Sequence, residues 1–442
     1  MAHPNRFRPL TTAEMLPARA SSMAQTLDLR DLPDDFYVNP YPVYAHLREH
    51  SPVRQLPDGS WLLTRHADLV AVYRDAATFS SDKKLEFGAK YNRAPFATAT
   101  MLAPLFEHHT TSLVFNDPPL HSRVRKLIMG ALSRRAIDQM EAGLVQLVNG
   151  LLDRIAVQGG GDLIEDFASA IPVEVIGNLL GVPHAERGPL REWSLAILGA
   201  LEPALTPAQE QRGNAAVTEF TRYLQSLVAK RRAQPGDPAQ DVLTRLIQGE
   251  GADPSGQLSE AELLQNCVFI LNAGHETTTN LIGNALVALQ EWPDQLDRLL
   301  YKQKQYFQYQ QRNFDDFSPE IDEFLRFESS NQLGNRRAVK DCVVGGVHLP
   351  AGSLLTLCIG AANRDPAVFD APDELRLDRP SNRHLAFGFG IHQCAGLSLA
   401  RLEGAIAVSS FLQRFPRYRL TQAPTRGRRV RFRGFLRAPF EP

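Results

Sequence analysis

The feature that most constrains this chain is one long helical segment between Ser259 and Pro293. Ser259 followed by Glu262 is a capping box that begins a helix, and Pro293 limits its far end. The span is about 34 residues, so the helix is about 50 Å long at roughly 1.5 Å per residue. Its first half contains the wholly apolar run Cys267–Leu271, which is typical of a helix buried on every side. The rest of the fold must therefore be built around this helix.

The remaining sequence predicts a mainly α-helical fold with a smaller β-rich part. Helical periodicity dominates residues 117–280, and a last long helix covers residues 396–415. Strand signals are confined to residues 53–64 and 342–359. Helices and strands do not alternate along the chain, which argues against a doubly wound parallel sheet.

The composition is that of a globular protein whose basic and acidic side chains nearly balance. The 442 residues include 48 basic and 49 acidic side chains, a net charge of −1, which argues against bulk attraction to nucleic acid or anionic membranes. No run of about 18 apolar residues occurs, so we predict no membrane span. We expect a polar, disordered extension over residues 1–27 and a single domain over residues 28–442. Four cysteines without a CxxC pair favour a reducing compartment.

The middle of the long helix carries the unusual sequence Ala273–Thr279. Gly274 and three threonines are weaker helix formers than alanine. A threonine hydroxyl can bond the carbonyl four residues earlier and open the backbone. The residues alone are explained by a structural kink, and the alternative is a site where a ligand approaches the helix.

A glycine-rich loop with one cysteine, Phe387–Gly396, lies directly before the last long helix. Cys394 would face the positive end of the helix dipole and several unpaired N–H groups. We expect both to lower the pKa of its thiol and hold it ionised. The glycines let the backbone pass close to a flat, bulky group. The other cysteines fit small buried side chains, whereas Cys394 is predicted to be a metal ligand.

This loop resembles the haem-binding loop of the cytochrome P-450 family of haem-thiolate enzymes, which reads Phe-x-x-Gly-x-x-x-Cys-x-Gly. The chain supplies Phe387, Gly390, Cys394 and Gly396 at matching spacing. The resemblance, which covers residues 39–433, implies the cytochrome P-450 fold with a single haem domain. It also implies haem b (heme b, iron protoporphyrin IX) as the cofactor, with Cys394 as the axial iron ligand. A thiolate ligand pushes electron density onto the iron and favours O–O cleavage.

By the same resemblance, the middle of the long helix crosses the distal face of the haem. Ala273 and Gly274 would lie beside the haem, and Gly274 would leave a groove for dioxygen. Glu276 and Thr277 would guide protons during oxygen activation, which is a general-acid role exercised through water.

Another family motif, Glu-x-x-Arg, is met by Glu323 and Arg326, which share a helix face at i, i+3. On its own, this spacing is typical of an exposed ion pair worth less than about 1 kcal/mol. In the family the pair is buried and bonded to an arginine of a later segment, for which Arg379 is the candidate. Leu375 stands where the family often has phenylalanine, so that segment matches incompletely.

Four further residues match the family's donors to the haem propionates. His121 and Arg125 lie at i, i+4 on one helix face, Arg336 matches an arginine at a sheet edge, and His392 precedes Cys394 by two positions. Two buried carboxylates need charged donors from several elements. Each residue alone fits a solvated charge or a core histidine, whereas the four matches in register favour the propionate role.

The resemblance implies a monooxygenase of the soluble bacterial type, which inserts one oxygen atom from dioxygen into a small organic substrate. Electrons would come from separate partners, a ferredoxin and its NAD(P)H-dependent reductase. A peroxygenase driven by hydrogen peroxide is the alternative enzyme, and the pair Glu276–Thr277 argues against it. A haem sensor or carrier without turnover is the alternative from another class. We expect a cytoplasmic monomer that binds neither nucleic acid nor membranes.

The substrate pocket is predicted by region. Its residues should come from residues 82–112, residues 190–206 and the neighbourhoods of Asn272 and Leu333, which include Gln332. Asn272 either reads a polar group of the substrate or bonds a backbone carbonyl or a water. The first region carries four aromatic side chains: Phe87, Tyr91, Phe96 and Phe106.

Two surface features remain. A basic cluster is either a docking face for an acidic ferredoxin or an ordinary solvated surface, and it consists of Arg123, Lys126, Arg134 and Arg135. Residues 302–312 are rich in Gln and Tyr and replace the short connection common in bacterial relatives. The plain expectation for them is a solvated helix or loop.

Overall fold

The computed structural model describes residues 15–82, 84, 86, 103–238, 241–249, 257–308 and 314–442. They form a helix-rich fold with small sheets, as the sequence predicts. None of the described helices is long and apolar enough to cross a membrane. The helices are α1 Pro17–Gln25, α2 Asp34–Val38, α3 Tyr41–His50, α4 His66–Arg74, α5 Pro104–Thr111, α6 Leu120–Ala131, α7 Arg134–Gln158, α8 Ala170–Leu179, α9 Leu190–Gly199, α10 Pro207–Ala233, α11 Val242–Gln248, α12 Glu260–Glu291, α13 Pro293–Gln308, α14 Ser318–Phe327, α15 Ile359–Ala362 and α16 Leu397–Arg414. The strands are β1 Val53–Gln55, β2 Trp61–Leu63, β3 Phe79–Ser80, β4 Gly161–Asp162, β5 Leu333–Ala338, β6 Cys342–Val344, β7 Val347–Leu349, β8 Leu354–Cys358, β9 Arg419–Leu420, β10 Thr425–Arg426, β11 Phe435–Arg437 and β12 Pro439–Glu441.

The long helix α12 forms as the sequence predicts, and the expected residues set its ends. Ser259 and Glu262 form the reciprocal capping box at its N-terminus, and the helix ends before Pro293. Most of its side chains are buried, because helices α8, α9, α10 and α16 pack around it. The helix is therefore the axis of the main hydrophobic core.

The largest sheet joins the two β regions that lie far apart in the sequence. Its strand order is β1-β2-β8-β5-β3, in which β8 pairs parallel with β2 and antiparallel with β5. The apolar residues of these strands pack into a cluster with helix α4. This arrangement fixes β5, the strand that carries Arg336.

Ordered structure begins earlier in the chain than the sequence analysis expects. Helix α1 lies within the extension predicted to be disordered, and it buries Met23 and Ala24. Its side chains pack with helix α3 in an apolar cluster. The prediction is therefore wrong for residues 17–25, because a short apolar stripe within polar surroundings finds a partner helix. Residues 1–14 lie outside the described residues.

The Gln- and Tyr-rich segment begins as the last turns of helix α13. Gln303 is buried, and its amide donates to the Ser409 carbonyl of α16 at 2.9 Å. Lys302 pairs with Glu320 of α14 at 2.6 Å. This part is thus a helix, as expected, but it is packed against the core rather than fully solvated. Residues 309–313 lie outside the described part of the chain.

Candidate active site

The cysteine loop is shaped by two glycines in the left-handed region. Gly388 and Gly390 have φ of 64° and 74°, which other residues rarely adopt. A Cβ on Gly390 would also come within 2.3 Å of the Tyr73 carbonyl oxygen, so this position requires glycine. The Cys394 amide donates to the Phe387 carbonyl at 2.8 Å. The loop therefore presents Cys394 just before helix α16.

The protein environment acts on the Cys394 thiol in two directions. Burial raises its pKa, whereas the Gly396 amide and the guanidinium groups of Arg125 and Arg401 lower it. Burial is the larger effect, so the pKa lies above the usual thiol value. The positive end of the helix dipole is therefore opposed by dehydration of the thiol, and the ionised thiolate stays a prediction. Ionisation of the thiol would come from a bound metal cation.

An ion-paired group that the sequence analysis missed holds the loop in place. Asp322 accepts two hydrogen bonds from Arg401, at 2.8 and 3.0 Å, and lies 3.3 Å from a ring nitrogen of His384. Arg401 lies 5.1 Å from the centre of the Phe387 ring, and the His384 ring lies 5.6 Å from it. Asp322 directly precedes Glu323, so one helix supports both the loop and the Glu-x-x-Arg motif.

The four residues matched to the haem propionates converge. The His121 and His392 rings lie 4.1 Å apart, centre to centre. Burial lowers the pKa of His121, and the nearby charges of Arg125 and Arg336 lower it further. Both ring nitrogens of His121 are buried without a hydrogen-bond partner among the described residues. A cluster of cationic and imidazole donors in which both His121 nitrogens are unmet among the described residues fits two carboxylates.

The surroundings of the cysteine also fit a flat macrocycle. A Cβ built on Gly396 meets no atom within 4 Å, so open space adjoins the loop beside Cys394. The Cys394 side chain itself is only half-buried. Together with the donor cluster, these residues fit a haem.

The Glu-x-x-Arg motif forms a saturated buried network. Arg326 donates to both carboxylate oxygens of Glu323 at 2.8 Å, and both side chains are fully buried. The Arg379 side chain donates to Glu323 Oε2 at 3.0 Å, which is the contact expected from the resemblance. The Arg376 amide and the Asn382 side chain complete the set at 2.9 and 3.0 Å.

The central helix exposes one narrow face in its otherwise buried middle. Ala273 is exposed and Thr277 is half-buried, whereas His275, Glu276 and Thr278 are buried. Ala273 and Thr277 share a helix face at i, i+4. The Thr277 hydroxyl donates to the Ala273 carbonyl at 2.6 Å, the backbone contact that the sequence suggests. A ligand can reach the helix on this face.

The absence of a side chain at Gly274 serves helix packing, which the sequence analysis did not foresee. A Cβ at this position would come within 2.5 Å of the Ile176 side chain on helix α8. Glycine therefore allows the two helices to approach closely. The oxygen groove at Gly274 stays a prediction.

Glu276 forms a buried ion pair with Arg429 of the C-terminal segment. Arg429 also donates to the Leu195 carbonyl of helix α9 at 2.9 Å. The second carboxylate oxygen of Glu276, Oε2, is buried without a partner among the described residues. Burial raises the pKa of Glu276, Arg429 opposes this, and Glu202 adds to the increase. Sequence reasoning missed Arg429 because 153 positions separate it from Glu276.

Asn272 bonds a histidine on helix α5. Its amide Nδ2 donates to His108 Nε2 at 3.2 Å, and His108 Nδ1 donates to Gln265 Oε1 at 3.0 Å. Because Gln265 Oε1 is an acceptor and the Asn272 amide Nδ2 is a donor, these contacts suit the tautomer with its proton on Nδ1. Burial lowers the pKa of His108 to about 4, so the ring is neutral. Asn272 Oδ1 remains a buried acceptor without a partner among the described residues.

The other predicted pocket residues are enclosed by the protein. Gln332 is buried, and its amide donates to the Ser329 carbonyl at 2.7 Å. Leu333 is buried in an apolar cluster, and Phe106 is buried on helix α5. The substrate role of Gln332 and Leu333 stays a prediction. The remaining aromatic residues of the first region lie outside the described residues: Phe87, Tyr91 and Phe96.

The members of the basic cluster differ in their surroundings. Arg123 and Arg134 form ion pairs with acidic side chains of this chain, which the sequence analysis did not foresee. Lys126 and Arg135 are exposed on helices α6 and α7. The docking role of the exposed side chains of Lys126 and Arg135 stays a prediction.

Comparisons with known proteins agree with this arrangement. The family model described as Cytochrome P450 matches residues 195–430. The protein "Cytochrome P450 107B1" of Saccharopolyspora erythraea is 35% identical over 424 residues, which cover 94% of this chain and 98% of that protein. The "6-deoxyerythronolide B hydroxylase" of the same organism is 34% identical, covering 87% of this chain and 90% of that protein.

Solved structures share the fold over nearly the whole chain. The structure of P450BioI in complex with hexadec-9Z-enoic acid ligated acyl carrier protein matches with a TM-score of 0.83 and 30% identity, covering 93% of this chain and all of that one. The structure of CalO2 matches with a TM-score of 0.82 and 29% identity. The chain therefore belongs to the cytochrome P450 family. Like relatives that are named hydroxylases and monooxygenases, it is a haem monooxygenase.

Proposed function

We propose that this protein uses dioxygen to insert one oxygen atom into a small organic substrate. The observation that carries the proposal is a loop cysteine, Cys394, combined with a helix that exposes Ala273 and Thr277 next to the buried acid Glu276. Haem b, when bound, supplies the activation of dioxygen. The chain's own residues would bind the cofactor, position the substrate and move protons.

The haem would be held from two directions. Cys394 would ligate the iron, and the loop would keep its shape through Phe387, Gly390 and Gly396. The propionates would accept hydrogen bonds from the converging donors His121, Arg125, Arg336 and His392. This assignment is supported by the unmet hydrogen-bonding capacity of His121. The ion-paired triad of Glu323, Arg326 and Arg379 would support the loop without contacting the cofactor.

Proton delivery would run from Glu276 to Thr277. Burial raises the pKa of Glu276, against the opposing effect of Arg429, and so favours proton binding relative to an ordinary glutamate. Its Oε2 has no partner among the described residues, so this atom is able to exchange the proton with a water. The Thr277 hydroxyl lies on the accessible face of the same helix and would pass the proton on.

Electrons would come from a ferredoxin served by an NAD(P)H-dependent reductase. Lys126 and Arg135 offer positive charge on or next to the helix that carries Arg125, and salt should therefore slow reduction by an acidic partner. Lys126→Glu and Arg135→Glu should slow it at low ionic strength. Arg417→Glu is the control, because Arg417 lies beyond the far end of α16, about 27 Å along that helix from the cysteine loop. Equal rates in all three variants would remove the docking face.

The composition supports two of the remaining proposals. The near-zero net charge supports a protein that binds neither nucleic acid nor anionic membranes. The lack of a CxxC pair supports the cytoplasm. We propose that the enzyme works there as a monomer.

The test is spectroscopic. The reduced protein with carbon monoxide should show the strongly red-shifted Soret band of thiolate haem, and Cys394→Ser should lose it. Persistence of that band in the variant would overturn the role of Cys394.

Turnover separates the remaining functions. Product formed with dioxygen, ferredoxin, reductase and NADH supports the proposal. Product formed only with hydrogen peroxide would indicate the peroxygenase. Haem binding without substrate-stimulated NADH consumption would indicate a sensor or carrier.

A further inference from the structure

Arg431 differs from the other arginines of its segment. Four arginines between residues 425 and 433 pair with a carboxylate of this chain: Arg426, Arg428, Arg429 and Arg433. Arg431 forms no such ion pair with any described residue. Its guanidinium donates only to main-chain carbonyls, that of Leu201 at 3.0 Å and that of Leu333 at 2.8 Å. Its Nη2 donates to none of the described residues, so part of its fork is unused.

The position of Arg431 joins the two regions that the sequence predicts for the substrate pocket. Leu201 lies in the segment after helix α9, and Leu333 begins strand β5. The Arg431 amide is held by Glu202 at 3.1 Å, so the backbone is fixed and the side chain reaches between both regions. The guanidinium is thereby held in place before any ligand arrives.

Arg431 lies in the interior and still reaches open space. Burial lowers the pKa of its guanidinium, and Glu202, Glu86 and Tyr73 act in the opposite direction. The side chain is nevertheless only half-buried. The guanidinium has no ion-pair partner among the described residues, so an incoming anion can bind it directly.

The haem propionates are a poorer explanation for this charge. Tyr73 lies between the two sites: the Arg336 guanidinium is 5.1 Å from its ring centre, and Arg431 acts on its hydroxyl. The propionate cluster already contains two imidazoles and two guanidinium groups for two carboxylates. Arg431, a further cation beside this cluster, is therefore available to a ligand other than the haem.

We propose that Arg431 binds a carboxylate group carried by the substrate. The inference rests on the proposed function, because it assumes a haem beside which the substrate lies. The free Nη2 and the second N–H of Nη1 offer the parallel pair of donors that a carboxylate accepts. The substrate class is thus an organic acid.

The experiment uses the haem-loaded protein and matched ligand pairs. Straight-chain alkanoates from octanoate to hexadecanoate, and aryl-alkanoates, are titrated beside their methyl esters while the Soret shift is followed. In the native protein the best acid should bind about tenfold tighter than its ester. Arg431→Gln should weaken the acid about tenfold and leave the ester unchanged, and Arg431→Lys should fall between. Arg428→Gln, which alters an exposed arginine three positions earlier, should leave both unchanged.

Three outcomes would overturn the proposal. One is that acids bind the native protein no better than esters, including no binding by either. Another is an equal loss for acid and ester in Arg431→Gln and Arg431→Lys, which would mark a packing role. The third is a loss of haem affinity in Arg431→Gln with an unchanged preference for acids, which would assign Arg431 to a propionate. A failure of the proposed function is distinguishable, because it would remove the thiolate Soret band from the native protein as well.

Discussion

Two buried glutamate–arginine pairs in the candidate site are built differently. Glu323 accepts hydrogen bonds at both oxygens from Arg326 and also from three further donors. Glu276 meets Arg429 at one oxygen only, and its other oxygen has no partner among the described residues. The first pair belongs to the framework of the cysteine loop, and the second belongs to the central helix.

The difference separates support from chemistry. A buried carboxylate whose acceptor sites are all occupied holds its geometry and cannot exchange a proton without breaking several bonds. A buried carboxyl group with one open oxygen is costly, and it remains able to bond water or a ligand. Two other groups have unused hydrogen-bonding capacity among the described residues. They are Asn272 Oδ1 on the central helix and the Arg431 guanidinium beside the predicted pocket.

The saturated pair can be broken by one change of charge. Glu323→Gln would leave Arg326 buried without its anion, and we expect a loss of about 3–5 kcal/mol in the free energy of unfolding. Urea denaturation measures the loss. Asp153→Asn on helix α7 is the control, because Asp153 and its partner Arg414 are both exposed and such a pair is worth less than about 1 kcal/mol. Similar losses in both variants would show that saturation of Glu323 contributes little.

The accessible face of the central helix is tested by two threonines on that helix. The Thr277 and Thr279 hydroxyls both donate to the carbonyl four residues earlier, at 2.6 and 2.9 Å, but only Thr277 lies on the accessible face. We expect Thr277→Ala to lower product formation about 100-fold, the lower range for loss of a proton-transfer group, while NADH is still consumed and peroxide is released. Thr279→Ala should keep the coupling of NADH to product. Equal coupling in both variants would remove Thr277 from the relay.

The sequence predicted those parts of the site that depend on local order. The capping box of α12, the loop before α16 and the i, i+3 pair Glu323–Arg326 are all set by residues a few positions apart. Contacts between distant segments escaped it, because nothing in the sequence near Glu276 points to Arg429, and nothing near Asn272 points to His108, 164 positions away.

The pKa of Cys394 is a second property that the sequence alone does not determine. The helix dipole acts over the first turn and is readable from the sequence. Burial depends on every segment that packs over the loop, and here it is the larger influence on the thiol. From the sequence, only the local contribution to the pKa of this thiol is visible.

Glu403 on helix α16 is a buried carboxyl group whose hydrogen bonding is incomplete, unlike that of Glu323. It is buried, its Oε2 has no partner among the described residues, and burial raises its pKa to about 8. The unfolded chain releases this proton near its ordinary pKa of 4.5, so between these values the native state binds more protons than the unfolded state. Stability should therefore fall by about 1.4 kcal/mol per pH unit and level off above the native pKa.

The Glu403→Gln variant isolates this effect. Its amide does not titrate, so the difference in unfolding free energy between variant and native protein should grow in favour of the variant from pH 5 to 8. Denaturation at several pH values measures it. Parallel stability curves would show that Glu403 is ionised in the folded protein and has an unseen partner.

The smallest effect is expected at Asn272, where the test concerns the hydrogen bonding of one atom, Oδ1. Nδ2 is engaged by His108, so the remaining capacity is that of the acceptor Oδ1. A substrate group that bonds it must be a donor, such as a hydroxyl, rather than an ether or a carbonyl. Asn272→Leu should weaken a hydroxylated ligand by about 1 kcal/mol, or about fivefold, the usual worth of one hydrogen bond.

The matched ligand is the ketone of the same carbon skeleton, which has no hydrogen to donate and should bind native protein and variant alike. His108→Leu supplies the second control, because it removes the partner of Nδ2 and leaves Oδ1 in place. If Asn272 reads the substrate, the alcohol should lose affinity in Asn272→Leu and retain most of it in His108→Leu. Equal losses for alcohol and ketone would mean that Asn272 serves only to join helices α5 and α12. Its hydrogen bonds would then be structural, like those of Glu323.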